Sequence, residues 1–207
     1  MKSDTVLPHL LGHYYPVIID CETSGIDPQT NALLEIAYVT LDYQDSLLQI
    51  AEKETFHVIP FEGAHFNEES MKIHQIDPGH PFRFAQEEKD VLIALNQIIE
   101  KKVHEGKFRR AVLVGHNAWF DLAFINQAYH RHNLKSAFHR FTTLDTATLG
   151  AFFSKETVLA KALSRSHISY DPKEAHGALY DAEQTALLFC HYWNKHAPVK
   201  FKKKAEV

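Results

Sequence analysis

The residues in this chain best suited to chemistry are acids in an unusual setting. In VIIDCETSG, residues 17–25, an apolar β-forming run ends on Asp20 and Glu22, with Cys21 between them. Side chains at i and i+2 of an extended strand project to the same side, so the two carboxylates share a face and Cys21 turns to the other. Like charges that close call for a cation. The turn signal Thr23-Ser24-Gly25 places the pair at the carboxyl end of the strand, where open α/β sheets hold their ligands. By itself, a D-x-E pair is more often a strand edge with two solvated acids.

Two later stretches repeat the pattern. In GHNAWFDLAFI, Asp121 lies just inside a helix among Phe120, Leu122, Phe124 and Ile125, which sets its carboxylate beside the buried side of that element. A first-turn acid also has an ordinary role opposite the helix dipole. In AHGALYDAEQTALLF, His176 precedes Asp181 by five residues. On one continuous helix that spacing separates them by about 140°, and they would not converge. Gly177 permits a turn ahead of the helix, so that His176 projects from a loop toward the space Asp181 faces.

The elements that must position these groups follow from pattern. Tyr15 to Glu22 predicts a first strand, NALLEIAYVTLDYQ from Asn31 a second, and ETFHVIP from Glu54 a third, in an antiparallel meander closed by Pro60. A short helix is expected at Glu68 to His74. DVLIALNQIIEKK from Asp90 has helical apolar spacing, with an acid at its start and lysines at its end. RRAVLVGHN from Arg109 reads as a strand that turns at Gly115-His116-Asn117 into a helix from Ala118 to His130. Phe141 to Asp145 predicts another strand, and Thr146 to Phe153 and Thr157 to Leu163 predict helices. A last helix follows Gly177, with an apolar stripe of Leu179, Ala182, Ala186, Phe189, Cys190 and Trp193. Strands followed by strand–helix alternation indicate an α/β domain with a mixed sheet flanked by helices.

Chain-level properties bound the function. The 207 residues suffice for one well-buried domain, and 45% hydrophobic with 23% charged residues is ordinary globular composition. A net charge of −4 gives no global attraction to nucleic acid, so a polyanion partner must meet a local basic patch. Two cysteines, Cys21 and Cys190, exclude a disulfide framework or a thiolate zinc site and fit a reducing cytoplasm. No run approaches the roughly 18 apolar residues of a membrane span. His130 and His132 lack further ligands at metal-binding spacing and receive no role.

Taken together, D-x-E-T, H-N-x-x-F-D and H-x-A-x-x-D, in that order from Asp20 to Asp181, resemble the three motifs of the DEDDh 3′→5′ exonuclease superfamily. LLEIA from Leu33, IDP from Ile76, LDTATL from Leu144 and YDAEQTALLFC from Tyr180 are similar to the ribonuclease T family in particular. The resemblance implies a ribonuclease-H-like mixed β-sheet flanked by α-helices. The corresponding division is an N-terminal arm (1–14), an exonuclease domain (15–197) and a basic C-terminal tail (198–207). Four carboxylates without a thiolate favour a hard ion: Mg²⁺ beside phosphates, with Mn²⁺ as a substitute. Two such ions about 3.5 to 4 Å apart clamp a scissile phosphate. By resemblance, Asp20 bridges both ions, Glu22 and Asp181 complete one site, and Asp121 supports the other. His176 is then the general base, since an imidazole ordinarily titrates near pH 6.5 and accepts a proton from water at neutral pH.

The same resemblance assigns contacts with terminal bases to Ile26, Glu69, Ile73, Phe120 and Leu144. Phe120 keeps the family's ring; Ile26, Ile73 and Leu144 are aliphatic where the family carries phenylalanine. Stacking contributes roughly 1 to 3 kcal/mol per base, so these replacements bear on grip and end preference. Trp119 offers a compensating ring, although a helical Trp more often belongs to a core. Lys101, Lys102, Lys107, Arg109 and Arg110 cluster around one connection and Lys135 lies in a second basic segment; Arg110 and Lys135 match the family's RNA-binding basic surface. The implied activity is a Mg²⁺-dependent exoribonuclease trimming single-stranded 3′ ends of structured RNAs, in tRNA end turnover and rRNA precursor maturation. Single-stranded DNA is a further substrate, and the implied assembly is a homodimer. Alternatives are oligoribonuclease or a polymerase proofreading subunit, separable by products from structured overhangs against tiny oligomers. A non-catalytic nucleic-acid-binding module would lack a carboxylate, and none is missing. A phosphatase acting on small esters would need no polymeric end.

Overall fold

The computed structural model describes residues 13–45 and 47–196. The expected arm up to residue 12 and the tail from 198 lie outside the described residues.

Six strands form one sheet in the order β4-β3-β2-β1-β5-β6. β1 (Tyr14–Thr23), β2 (Leu33–Gln44) and β3 (Leu47–Ile59) make the antiparallel meander. β4 (Gln86–Glu87) adds two residues parallel to the end of β3. β5 (Arg110–Gly115) and β6 (Phe138–Asp145) run parallel to β1 on its other side. β1 is therefore central, and Val17, Ile18 and Ile19 are all fully buried, which is why it reads as an unbroken apolar run rather than an alternating one. Because β1, β5 and β6 are parallel, their carboxyl ends open onto one edge of the sheet. β1 is also where the ladder changes from antiparallel to parallel, the kind of switch point at which open α/β sheets form a crevice.

Helices flank the sheet. α1 (Glu68–His74) starts on Asn67, whose side chain accepts the N–H groups of Glu69 at 2.9 Å and Ser70 at 3.0 Å. α2 (Glu88–Glu105) carries acids in its first turn and Lys102 and His104 in its last. α3 (Trp119–Arg131) follows β5; α4 (Thr146–Phe153) and α5 (Leu159–Arg165) follow β6. α6 (Ala178–His196) packs across β1, β2 and β3. No helix among the described residues is long and apolar enough to cross a membrane.

Two strands extend beyond their expected starts. β3 begins at Leu47, not Glu54: only Leu48 is buried in its first half and Ala51 to Glu54 are exposed, so this stretch has no alternating signal. β6 begins at Phe138 rather than Phe141, because His139 to Phe141 lie at a partly exposed sheet edge where hydrophobic pattern is weak. His132 is a structural residue: its ring meets Glu88 at 2.8 Å.

Candidate active site

Asp20 and Glu22 pair in register with Ala37 and Glu35 of β2, and the ladder shifts immediately after Glu22. This leaves both carboxylates on one face at the last regular turn of the pleat. Asp181, in the first turn of α6, comes to the same place: Asp20, Glu22 and Asp181 each present a carboxylate oxygen within 4.8 Å of the others. The Asp181 Oδ2 accepts the backbone N–H of His176 at 2.9 Å. Its Oδ1 is buried and, among the described residues, has no hydrogen-bond partner.

Asp121 arrives from α3. It is 4% exposed, and its Oδ1 accepts the Cys21 backbone N–H, between the two β1 acids, at 3.0 Å. That approach depends on Gly115, where a Cβ would stand 3.1 Å from Ala118 Cα and 3.3 Å from Asp121 Oδ2. Asn117 makes the turn with φ of 63°, a left-handed conformation that Asn tolerates better than most residues. Asp145, at the end of β6, accepts the N–H groups of Asn117 at 3.2 Å, Ala118 at 3.1 Å and Ala147 at 2.8 Å. One carboxylate thus holds the start of α3 and caps α4. His116 bridges Thr146 Oγ1 at 3.0 Å and the Thr157 carbonyl at 2.9 Å.

The site is electrostatically unsatisfied. Burial, then Asp121, Glu22 and Asp181, push Asp20 well above the usual carboxylate range. Burial followed by Asp181 raises Glu22 to about 8, and burial raises Asp121 to about 7. Asp181 is also raised by burial, against the pull of its hydrogen bond from His176 and the His176 and His116 rings. No Lys or Arg among the described residues forms an ion pair with any of the four. Burial and neighbouring acids hold the Cys21 thiol far above its ordinary value, which keeps sulfur out of the donor set. An all-oxygen cluster with an orphaned, buried Oδ1 fits a hard divalent cation.

His176 lies at the mouth of this cluster, solvent-exposed, close enough for its charge to act on both Asp181 and His74. The turn that brings it there differs from the expectation. The left-handed residue is His176 itself, with φ of 66°, and not Gly177, whose added Cβ would meet only the Glu174 carbonyl at an ordinary 3.6 Å. The hydrogen bond from the His176 amide to Asp181 is what selects that conformation.

Phe120 lines a cavity of about 420 Å³ together with Asp20, Cys21, His116, Asn117, Trp119 and Asp121. Glu69 and Ile73 lie one turn apart on α1, which is tied to the end of β1: the Asn67 N–H donates to the Ser24 carbonyl at 2.7 Å, and His74 Nε2 meets the Thr23 carbonyl at 3.1 Å. Ile26 follows in the adjoining loop, 80% exposed. Leu144 is half-buried and packs against the main core. Arg110 and Lys135 line a separate cavity of about 670 Å³ with His130 and Arg140. Of the other cations expected there, Lys102 is committed to Glu52 at 2.8 Å.

Comparisons with known proteins identify the family and the fold. The exonuclease family model RNase_T matches residues 17–189. Ribonuclease T of Shewanella denitrificans is 44% identical over 191 residues, covering 91% of this chain and 84% of its own. Ribonuclease T of Buchnera aphidicola is 45% identical over 184 residues, 88% of this chain and 83% of its own. This chain belongs to the ribonuclease T family. As a family member it is a 3′→5′ exonuclease, a hydrolase. Its fold matches the nuclease domain of 3′hExo, a DEDDh family member bound to rAMP, with TM-score 0.71 at 19% identity over 93% of this chain and 98% of that one. It also matches Escherichia coli exonuclease I in complex with a dT13 oligonucleotide, with TM-score 0.68 at 15% identity over 87% of this chain and 41% of that one.

Within the ribonuclease T framework, sequence reasoning missed the groups that hold the site together. Asp145 had a readable signal, an acid directly before the helix Thr146–Phe153, in the manner of an N-cap. His74 joins α1 to β1 and accepts the Ile76 N–H at 3.1 Å on its other nitrogen, but a histidine in a short polar helix gives no such indication. Arg140, in the separate basic cavity and not in the acidic site, was hidden in a strand edge.

Proposed function

We propose that this family member is a divalent-metal-dependent 3′→5′ exoribonuclease that trims single-stranded 3′ ends of structured RNAs, including tRNA ends and rRNA precursors. The observation that carries the reading is the convergence of Asp20, Glu22, Asp121 and Asp181 from three elements on one edge of the sheet, half-buried to buried, mutually repelling and, among the described residues, without a Lys or Arg ion-pair partner. Asp20, Glu22 and Asp181 would hold one ion, and Asp20 with Asp121 a second, with Mg²⁺ the fitting species and Mn²⁺ a substitute. Bound there, the ions supply Lewis-acid activation of water and neutralisation of the departing 3′ oxygen.

The protein's own groups do the rest. His176, exposed at the mouth, takes the proton of the attacking water at an imidazole nitrogen and releases it to solvent. Its backbone N–H fixes Asp181 in register with that ring. Asp145 holds the first turn of α3, and with it Asp121 and Phe120. Phe120, with the aliphatic surfaces of Ile26, Ile73 and Leu144 and the polar Glu69, grips the terminal bases. Arg110 and Lys135 take the RNA body, across a homodimer in which one subunit feeds the other's site. The domain spans 15–197, flanked by the arm and basic tail, and works in the cytoplasm; single-stranded DNA is a second substrate.

The test is digestion of end-labelled tRNA-like substrates bearing each 3′ base, with Mg²⁺ and with chelator. Stepwise shortening from the 3′ end that stops in chelator is expected. Shortening that continues in chelator, or that begins at the 5′ end, defeats the proposal.

A further inference from the structure

Trp119, which the sequence offers as a compensating ring although a helical Trp more often belongs to a core, is 67% exposed, whereas the chain's other tryptophan, Trp193, packs against the main core beside Phe189. An indole left in water forfeits the burial that usually justifies a Trp. It is also held still. It is the first residue of α3, following Asn117 and Ala118, whose amides are both fixed by Asp145, and its ring meets Phe120 edge-to-face at 5.8 Å and 89°. Both rings line the cavity that contains Asp20 and Asp121. Ile26 and Ile73, also exposed near this end of the sheet, are aliphatic and offer no π-face; Phe66, 47% exposed between His65 and Asn67, is aromatic but does not line that cavity.

We infer that Trp119 is the principal stacking platform for a nucleobase at this site, and hence a specificity-determining residue of this chain. A rigid, exposed, wide ring beside the carboxylates has the chemistry that recognises any base by its face, at little ordering cost because Asp145 has already fixed the turn. The Trp119–Phe120 corner holds the base on one side while the carboxylates lie on the other. The inference rests on the nuclease reading and deepens it: the ligand is a single-stranded end, gripped by stacking more than by base-edge hydrogen bonds.

The experiment uses the full chain. In a Trp193→Phe background, Trp119 is the sole indole reporter, and titration with a phosphorothioate-linked single-stranded hexanucleotide should quench its fluorescence saturably. Trp119→Ala should raise KM for single-stranded RNA about 5- to 100-fold, the span expected for one lost stack, with kcat within about twofold. Trp119→Phe should recover most of the loss, and the thermal midpoint of both variants should stay at the wild-type value. A chain that degrades RNA but shows neither quenching nor a KM change in Trp119→Ala overturns the stacking inference and leaves the nuclease reading intact. A chain that quenches but never shortens RNA defeats the nuclease reading and upholds the stacking one.

Discussion

Two charged clusters built on acids in this molecule have opposite designs. On α2, Glu88 is 3% exposed, and its oxygens meet Arg131 Nη1 at 2.7 and 2.8 Å and His132 Nε2 at 2.8 Å. Arg131 in turn lies over the Phe61 ring, 3.8 Å from its centroid. At the carboxyl edge of the sheet, four acids gather and, among the described residues, none forms an ion pair with a lysine or arginine and one oxygen has no hydrogen-bond partner, while burial drives their proton affinities up. An acid that serves architecture brings its counter-charge in the same chain; acids that serve chemistry leave the counter-charge to be supplied from outside.

The largest contrast should come from neutralising one acid in the open cluster. Asp20→Asn or Asp181→Asn is expected to lower turnover by about 10³-fold or more while raising the thermal midpoint of the metal-free chain, because a buried repulsion has been relieved. Single-turnover assays and calorimetry on the same sample read both effects. A variant that loses stability along with activity would place Asp20 among the architectural acids.

Next in size is His176→Ala, expected to cost about 10²- to 10⁴-fold in kcat, the range for a lost general base, with single-strand affinity unchanged. The residue is exposed and carries no core packing, so its thermal midpoint should hold. Unchanged turnover would remove the imidazole from the reaction and leave only its backbone bond to Asp181.

The closed cluster should respond the other way. Arg131→Ala leaves the buried Glu88 with only the His132 ring as partner and should destabilise the fold by up to about 3 kcal/mol, with the specific activity of the folded fraction preserved. Denaturant midpoints and activity per folded molecule separate the two. Loss of activity with normal stability would mean that the two clusters are coupled.

How far these differences could be read beforehand depends on range. The i, i+2 pairing of Asp20 and Glu22 and the amphipathic helices are local, and hydrophobic period reveals them directly. The helix Glu68–His74 was legible because Asn67 caps it and acids open it. The left-handed turn at His176 was not, since it is stabilised by a carboxylate five residues on and not by a residue type that prefers the conformation. Asp145 and Asn117 meet across 28 positions, and Asp121 and Cys21 across 100, so neither contact leaves a periodic trace. The same holds for Glu88 and Arg131, 43 residues apart: nothing in either segment announces a buried pair.

Titration sharpens the comparison further. Glu22 rises from 4.5 to about 8 and Asp121 from 3.8 to about 7. The folded chain therefore holds these protons more tightly than the unfolded one. Their contribution to stability is complete below the unfolded values and is lost as pH climbs through about 7 to 8. Metal-free protein should melt progressively lower between about pH 5 and pH 8.5, and Mg²⁺ should raise the midpoint more at the alkaline end, where the acids are ionised and need it. A metal-independent, flat profile would mean the four acids are already satisfied.

The smallest effect concerns the mirror image of the acidic site. Arg110, Lys135 and Arg140 line one cavity and, among the described residues, form no ion pair, whereas Lys102 is paired with Glu52. By the logic of the two acidic clusters, cations left open are waiting for anions. Each phosphate neutralised on a single strand contributes about 0.7 to the slope of log affinity against log salt, so Lys135→Ala should flatten that slope by about this amount. Lys102→Ala should leave it unchanged, since its charge is spent within the fold. Equal responses from the two lysines would show that pairing inside the chain does not decide which charges meet the RNA, and the contrast between closed and open clusters would then be confined to the carboxylates.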